Sequence, residues 1–175
     1  YFGSPSSKRR RTQPAMVVYR GSKPEMKRFD TTLSYVGLGT KANAICLPSQ
    51  GTAINQRVGA RIKVWRIEYV LYNGSTVPIR CDLLINNFTG GTISHGYTTP
   101  LDLNTVTKLS TKFFTPGSKE SSEGANYSHS LPYGIVCKYG GSAGTTINSN
   151  SIVAYVSTPV NTDVTGYFRI YYTDV

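Results

Sequence analysis

The 175-residue sequence predicts an all-β fold, and three observations carry that expectation. Short runs alternate apolar and polar residues with a period of two. Clusters of Gly, Pro, Asn, Ser and Thr separate the runs, and no segment of about ten residues or more has the periodicity of an amphipathic helix. Successive side chains of an extended strand point to opposite faces, so alternation marks a strand with one face buried.

The elements follow in order. In the first run Phe29, Leu33 and Tyr35 share one face, and Arg28, Asp30, Thr32 and Ser34 share the other. A short strand is expected over residues 44–47. The longest run, 61–72, changes phase: Ile62 and Val64 alternate one way, then Trp65, Ile67, Tyr69 and Leu71 the other. One extra residue inverts a strand's faces, so a β-bulge is expected near Trp65. Ile79, Cys81, Leu83 and Ile85 alternate against Arg80, Asp82 and Asn86. Further strands are expected over 106–114, 131–139 and 151–158. In the last strand Phe168, Ile170 and Tyr172 oppose Tyr167, Arg169 and Thr173. Residues 152–156 are apolar on both faces, which suits either the centre of a sandwich or a subunit contact. Longer loops are expected over 89–105 and 115–130. About eight such strands predict a single jelly roll, a two-sheet sandwich. The immunoglobulin alternative lacks its Cys, Trp, Cys arrangement here.

Residues 1–24 read as a flexible basic N-terminal arm and 25–175 as one shell domain. In the arm Lys8, Arg9, Arg10 and Arg11 form a like-charged block, and Pro14, Gly21 and Pro24 interrupt any helix, so disorder before partner binding is expected. The chain begins at Tyr1 rather than Met, and residues upstream are expected to be missing. No run approaches the roughly 18 apolar residues of a membrane helix. Cys46, Cys81 and Cys137 are odd in number and widely spaced, as buried small hydrophobes in a reducing compartment would be.

Charge is partitioned. Residues 1–66 carry thirteen Lys or Arg against Glu25 and Asp30, a net of +11, whereas residues 67–175 carry six against seven acids, a net of −1. A chain that must hold a polyanion concentrates its cations where the polyanion lies. Lys8, Arg9, Arg10, Arg11, Arg20, Lys23, Lys27 and Arg28 are therefore candidate nucleic-acid contacts, binding phosphate through counterion release and without fixed geometry. The same block also suits a nuclear-localisation signal, and the two uses are compatible. Arg57, Arg61, Lys63 and Arg66 extend the basic character into the long strand. They form either a positive patch or the ordinary wet face of a strand. The many tyrosines read as core or contact residues rather than base platforms.

Enzymatic activity is not expected. His95 and His129 stand in Gly/Ser/Thr-rich loops without metal-ligand spacing, and no GxSxG, P-loop or GxGxxG motif occurs. Neither a cofactor nor a metal is expected.

The segment Gln50, Gly51, Thr52, Ala53, Ile54, Asn55, Gln56, Arg57, Val58, Gly59, Ala60, Arg61, Ile62, Lys63, Val64 resembles the stretch ahead of the second jelly-roll strand in certain small-virus coat proteins. These are the coat proteins of satellite tobacco necrosis virus and of circular Rep-encoding single-stranded DNA (CRESS-DNA) viruses. Lys27, Arg28 and Phe29 after a basic arm, and the closing Tyr171, Tyr172, Thr173 and Asp174, are similar too. The resemblance implies a capsid protein: one jelly roll per subunit and sixty copies in a T=1 icosahedral shell. It also implies an inward basic arm around a single-stranded genome, DNA favoured over RNA, and no enzymatic activity. By position Lys8, Arg9, Arg10 and Arg11 carry over as genome contacts, and Arg57 and Arg61 as inner-face candidates. The location implied is the virion, with the host nucleus during assembly, and no membrane partner. Two alternatives stand beside it: a cellular single-strand-binding module of oligonucleotide-barrel type and a carbohydrate-binding jelly roll.

Overall fold

The computed structural model describes residues 24–87, 96–101, 103–116, 125–142 and 147–175. The regular structure among them is entirely β. The strands are β1 (Lys27–Ala44), β2 (Arg61–Asn73), β3 (Ile79–Asn86), β4 (Val106–Phe114), β5 (Ala125–Tyr139), β6 (Ile147–Ser149) and β7 (Ser151–Asp174).

Strand pairing is antiparallel throughout, and two strands organise it. β1 and β7 run together from Lys27↔Tyr172 to Ala44↔Val153. On its other side β7 changes partner: Val164 to Asp174 pair with β2, and Ser151 to Ser157 pair with β3. With β5 beside β2 and β4 beside β3, the result is two four-stranded layers. The first is β5, β2, the C-terminal half of β7 and the N-terminal half of β1. The second is β4, β3, the N-terminal half of β7 and the C-terminal half of β1. Six long strands thus supply the eight segments of a jelly roll, and short β6 extends the β5 edge.

The ribbon must bend where it passes between layers. Gly37 and Gly39 take φ of 148° and 110°, a region that costs a glycine little and other residues much. Opposite Leu38, between the pairs Gly37↔Thr162 and Gly39↔Thr158, β7 inserts Pro159, Val160 and Asn161. A proline, lacking an N–H, fits such a bulge better than a regular ladder. The Thr158 hydroxyl donates to the carbonyls of Gly37 (3.1 Å) and Gly39 (3.3 Å) and holds the bend.

The main core lies between the layers. Ile62, Val64, Ile67, Tyr69 and Leu71 of β2 pack with Ile79, Cys81 and Leu83 of β3 and with Ile152, Ala154, Val156, Phe168, Ile170 and Tyr172 of β7. Tyr69 stacks on Phe168 at 5.5 Å and on Tyr127 at 5.6 Å. A second cluster of Leu84, Val106, Val153 and Tyr155, with Leu101 against it, covers the far side of the second layer. Residues 152–156 are apolar on both faces because both faces are buried within one subunit, so the central-strand reading is the correct one. The three cysteines are buried and free. Burial pushes the Cys81 thiol well above its usual range, as for an inert core residue.

The alternation located β2 and β3, β4 stands where a further strand was expected, and the bulge occurs in both β2 ladders between Val64 and Arg66. Other expectations need correction. Residues 44–47 form no separate strand: β1 runs on to Ala44, and the Ile45 N–H donates to the Ile152 carbonyl at 3.1 Å. The expected loop 115–130 already contains the start of β5 at Ala125. The runs 151–158 and 168–173 are two halves of one bent strand.

Candidate nucleic-acid interface

The solvent face of the β5-β2-β7-β1 layer gathers cations from all four strands. Ile62, Val64 and Ile67 of β2 point into the core, so Arg61, Lys63, Arg66 and Glu68 point outward, and the Trp65 bulge keeps the outward series in register after the phase change. Pairing sets the rows. Arg28, Tyr171, Arg66 and Ser130 lie across the sheet in one row, and Asp30, Arg169, Glu68 and Ser128 in the next.

The second row is internally neutralised. Arg169 holds Asp30 through two bonds, Nε to Oδ1 at 2.7 Å and Nη2 to Oδ2 at 2.8 Å. Arg66 Nε lies 3.3 Å from Glu68 Oε1, the Tyr171 hydroxyl donates to Glu68 Oε2 at 2.7 Å, and the Arg66 guanidinium lies 3.9 Å over the Tyr171 ring. The hydrogen bond from Arg169 holds the Asp30 carboxyl below its ordinary value. A lowered folded pKa contributes stability that is present above the unfolded value near about 3.9 and is lost as pH falls through the folded one. With the Asp30 side chain 48% exposed, screening limits the pair to about 0.5 kcal/mol. Asp30→Asn is therefore expected to cost about that much at neutral pH and progressively less as pH falls through the folded pKa, as read by urea unfolding at a series of acidic pH values.

The remaining cations of this face form no salt bridge among the described residues, although the Arg28 charge adds to the lowering of the Asp30 carboxyl. Arg28, Arg61 and Lys138 are exposed and Lys63 is half-buried. Arg61 and Lys138 are direct cross-strand partners, and Lys63 pairs with Val136 two residues away. The Lys63 ammonium sits 4.4 Å above the Trp65 ring, whose indole N–H donates to Thr173 Oγ1 at 3.0 Å.

The chain enters β1 on this face. Met26, just before β1, lines a hollow of about 290 Å³ together with Trp65, Arg66, Ser130 and Tyr171. Lys8, Arg9, Arg10, Arg11, Arg20 and Lys23 lie outside the described residues.

Two sequence candidates turn inward instead. Lys27 is 8% exposed, and its ammonium binds Asp174 Oδ2 at 2.8 Å and the Gln56 carbonyl at 3.0 Å. Arg57 is 0% exposed. Its Nε donates to the Pro48 carbonyl at 3.2 Å, its two terminal nitrogens donate to the Gly59 and Gly141 carbonyls, and its guanidinium lies 4.1 Å over the Tyr139 ring. Each of its three nitrogens donates to a backbone carbonyl and the side chain is fully buried, so here Arg57 clamps the 48–59 loop onto β5 and the turn after it, and offers no surface to phosphate. Arg28 and Arg61 are the sequence candidates among the described residues that reach solvent. Lys138 escaped sequence reasoning because only the β2–β5 register brings it beside Arg61.

Among the described residues no three or more His, Cys, Asp or Glu cluster as a metal site would require. His129 pairs with Ile67 in β5, and His95 lies outside the described residues.

No protein-family model matches the sequence, and no curated protein matches it. Among solved structures there is a weak similarity to viral capsid particles. The VP2 subviral particle of infectious bursal disease virus is 12% identical, with a TM-score of 0.23 over 98% of this chain and 46% of that one. The Gx strain of the same virus is 10% identical, with a TM-score of 0.25 over 98% and 47%. T=1 particles derived from that virus give 12% identity and a TM-score of 0.23 over 98% and 45%. The chain spans less than half the length of these structures.

Proposed function

We propose that this chain is a viral coat protein that assembles into a small T=1 shell and packages a single-stranded genome, DNA favoured, by sequence-independent electrostatic binding. One observation carries the reading. The cations Arg28, Arg61, Lys63 and Lys138, none of them in a described salt bridge, share a single sheet face, and Met26, just ahead of β1, lies on that same face. A tail and a wall then act on one polyanion from one side, while the rest of the chain, near neutral in charge, is left to make protein contacts. The balance of +11 before residue 67 and −1 after it supports this division.

In this reading the protein is structural and performs no reaction. Its phosphate contacts are Lys8, Arg9, Arg10, Arg11, Arg20 and Lys23 in the arm and Arg28 and Arg61 on the sheet, joined by Lys63 and Lys138. It acts in the virion, after assembly in the host nucleus.

Negative-stain electron microscopy of the purified protein is expected to show uniform small spheres. Nucleic acid extracted from them is expected to be degraded by deoxyribonuclease and to survive ribonuclease. Protein that stays monomeric at every concentration defeats the reading, and a cargo sensitive only to ribonuclease reverses the preference for DNA.

A further inference from the structure

The β2–β5 ladder contains an irregularity larger than one extra residue. Between the pairs Val64↔Ile135 and Arg66↔Ser130, β2 inserts Trp65 alone, whereas β5 inserts Leu131, Pro132, Tyr133 and Gly134. The insertion anchors itself through Leu131, which is buried, and turns back into the ladder at Gly134, whose φ is 63°. Tyr133 is thereby held out from the sheet at 90% exposure, the largest among the exposed apolar and aromatic side chains of the described residues.

The setting of this ring is cationic. The Lys63 side chain passes directly over Gly134, so closely that a Cβ there would stand 2.6 Å from Lys63 Cε. Its ammonium then lies over Trp65, which fixes a positive charge beside the insertion that carries Tyr133. A few residues along the same ladder Arg61 faces Lys138. Like charges directly opposite one another destabilise a sheet, and no described acid relieves this pair. An anion bridging the two would.

We propose that Tyr133, Lys63, Arg61 and Lys138 form a fixed subsite for single-stranded nucleic acid, with a base stacked on the Tyr133 ring and the backbone phosphates held by the three cations. The proposal rests on the nucleic-acid reading above and adds a built contact to it. Where the arm supplies affinity that fades with salt, stacking on an aromatic ring persists, since it depends on the face of a base rather than on displaced counterions. Charge complementarity favours nucleic acid over a second protein as the occupant of this ring.

The test uses the full chain and a short oligothymidylate. At about 0.5 M salt, where counterion release contributes little, Tyr133→Ala is expected to weaken binding about tenfold and Tyr133→Phe, which keeps the ring, to leave it unchanged. Lys138→Ser is expected to flatten the plot of log K against log salt by about 0.7. Photo-crosslinking of an oligonucleotide carrying 5-iodouracil is expected to map to the tryptic peptide containing Tyr133. If the unmodified chain binds no oligonucleotide at low salt, the nucleic-acid reading and this subsite fall together. Binding that survives Tyr133→Ala at full strength, with crosslinks elsewhere, overturns the subsite alone. So does a Tyr133→Ala chain that changes particle assembly but not oligonucleotide affinity, because the ring is then a protein contact.

Discussion

Arg57→Ala is expected to destabilise the folded chain by about 4 kcal/mol, because three backbone carbonyls lose their donors at once and a buried side chain leaves a void. The carbonyls of Pro48, Gly59 and Gly141 are held by one guanidinium lying on the Tyr139 ring. No water reaches a residue that is 0% exposed to replace those bonds without rearrangement. Arg57→Lys is expected to recover little, since a single ammonium lacks the planar fork that reaches three acceptors in divergent directions and stacks on a ring. Urea unfolding of the three proteins measures the loss. The same variants separate the two roles that the sequence allowed for this residue: a structural clamp lowers the unfolding midpoint and leaves the salt dependence of oligonucleotide binding alone. A phosphate contact would do the reverse.

The second large effect concerns the arm. Replacing Lys8, Arg9, Arg10 and Arg11 by Ser removes four cations, each able to displace a condensed counterion from a single strand. The slope of log K against log salt is expected to fall by about 3, and affinity at about 0.1 M salt to drop on the order of a thousandfold. Titration of labelled oligothymidylate at several salt concentrations provides both numbers. Because the described fold begins at residue 24, after this block, the unfolding midpoint of the variant is expected to be unchanged. A variant that keeps its affinity and its slope would show that phosphate is gripped elsewhere.

Alternation along the chain revealed β2 because it buries one face of its ladder, and alternation reports burial directly; β3 also alternates in sequence, yet it is buried on both faces from Cys81 to Leu84. The same logic exposed the Trp65 bulge, since a phase change is visible in sequence. It could not show that β1 and β7 are each continuous across the bend. Gly37, Gly39 and Pro159 are residues that end strands elsewhere, and here they turn a paired ribbon without parting it. The candidate site divided along a similar line. Exposed Arg28 and Arg61 were legible as cations on the polar face of a strand. The inward turn of Arg57 depends on carbonyls from Pro48 and Gly141, which no local pattern brings to it. Lys138 and Tyr133 gain their meaning from β5 lying beside β2, a long-range pairing that carries no signature in either strand alone.

The pairing of the first strand with the last has a consequence for how the protein is made. Residue 27 lies opposite residue 172, and both layers take their central partner from β7. Until β7 has emerged from the ribosome, β2 and β3 each lack a neighbour and neither half of the sandwich can close. Local contacts are too few to hold a partial structure, so folding waits for β7 and proceeds slowly through contacts distant in sequence. Chains truncated before β7 are accordingly expected to be protease-sensitive throughout, with no stable half-domain left behind.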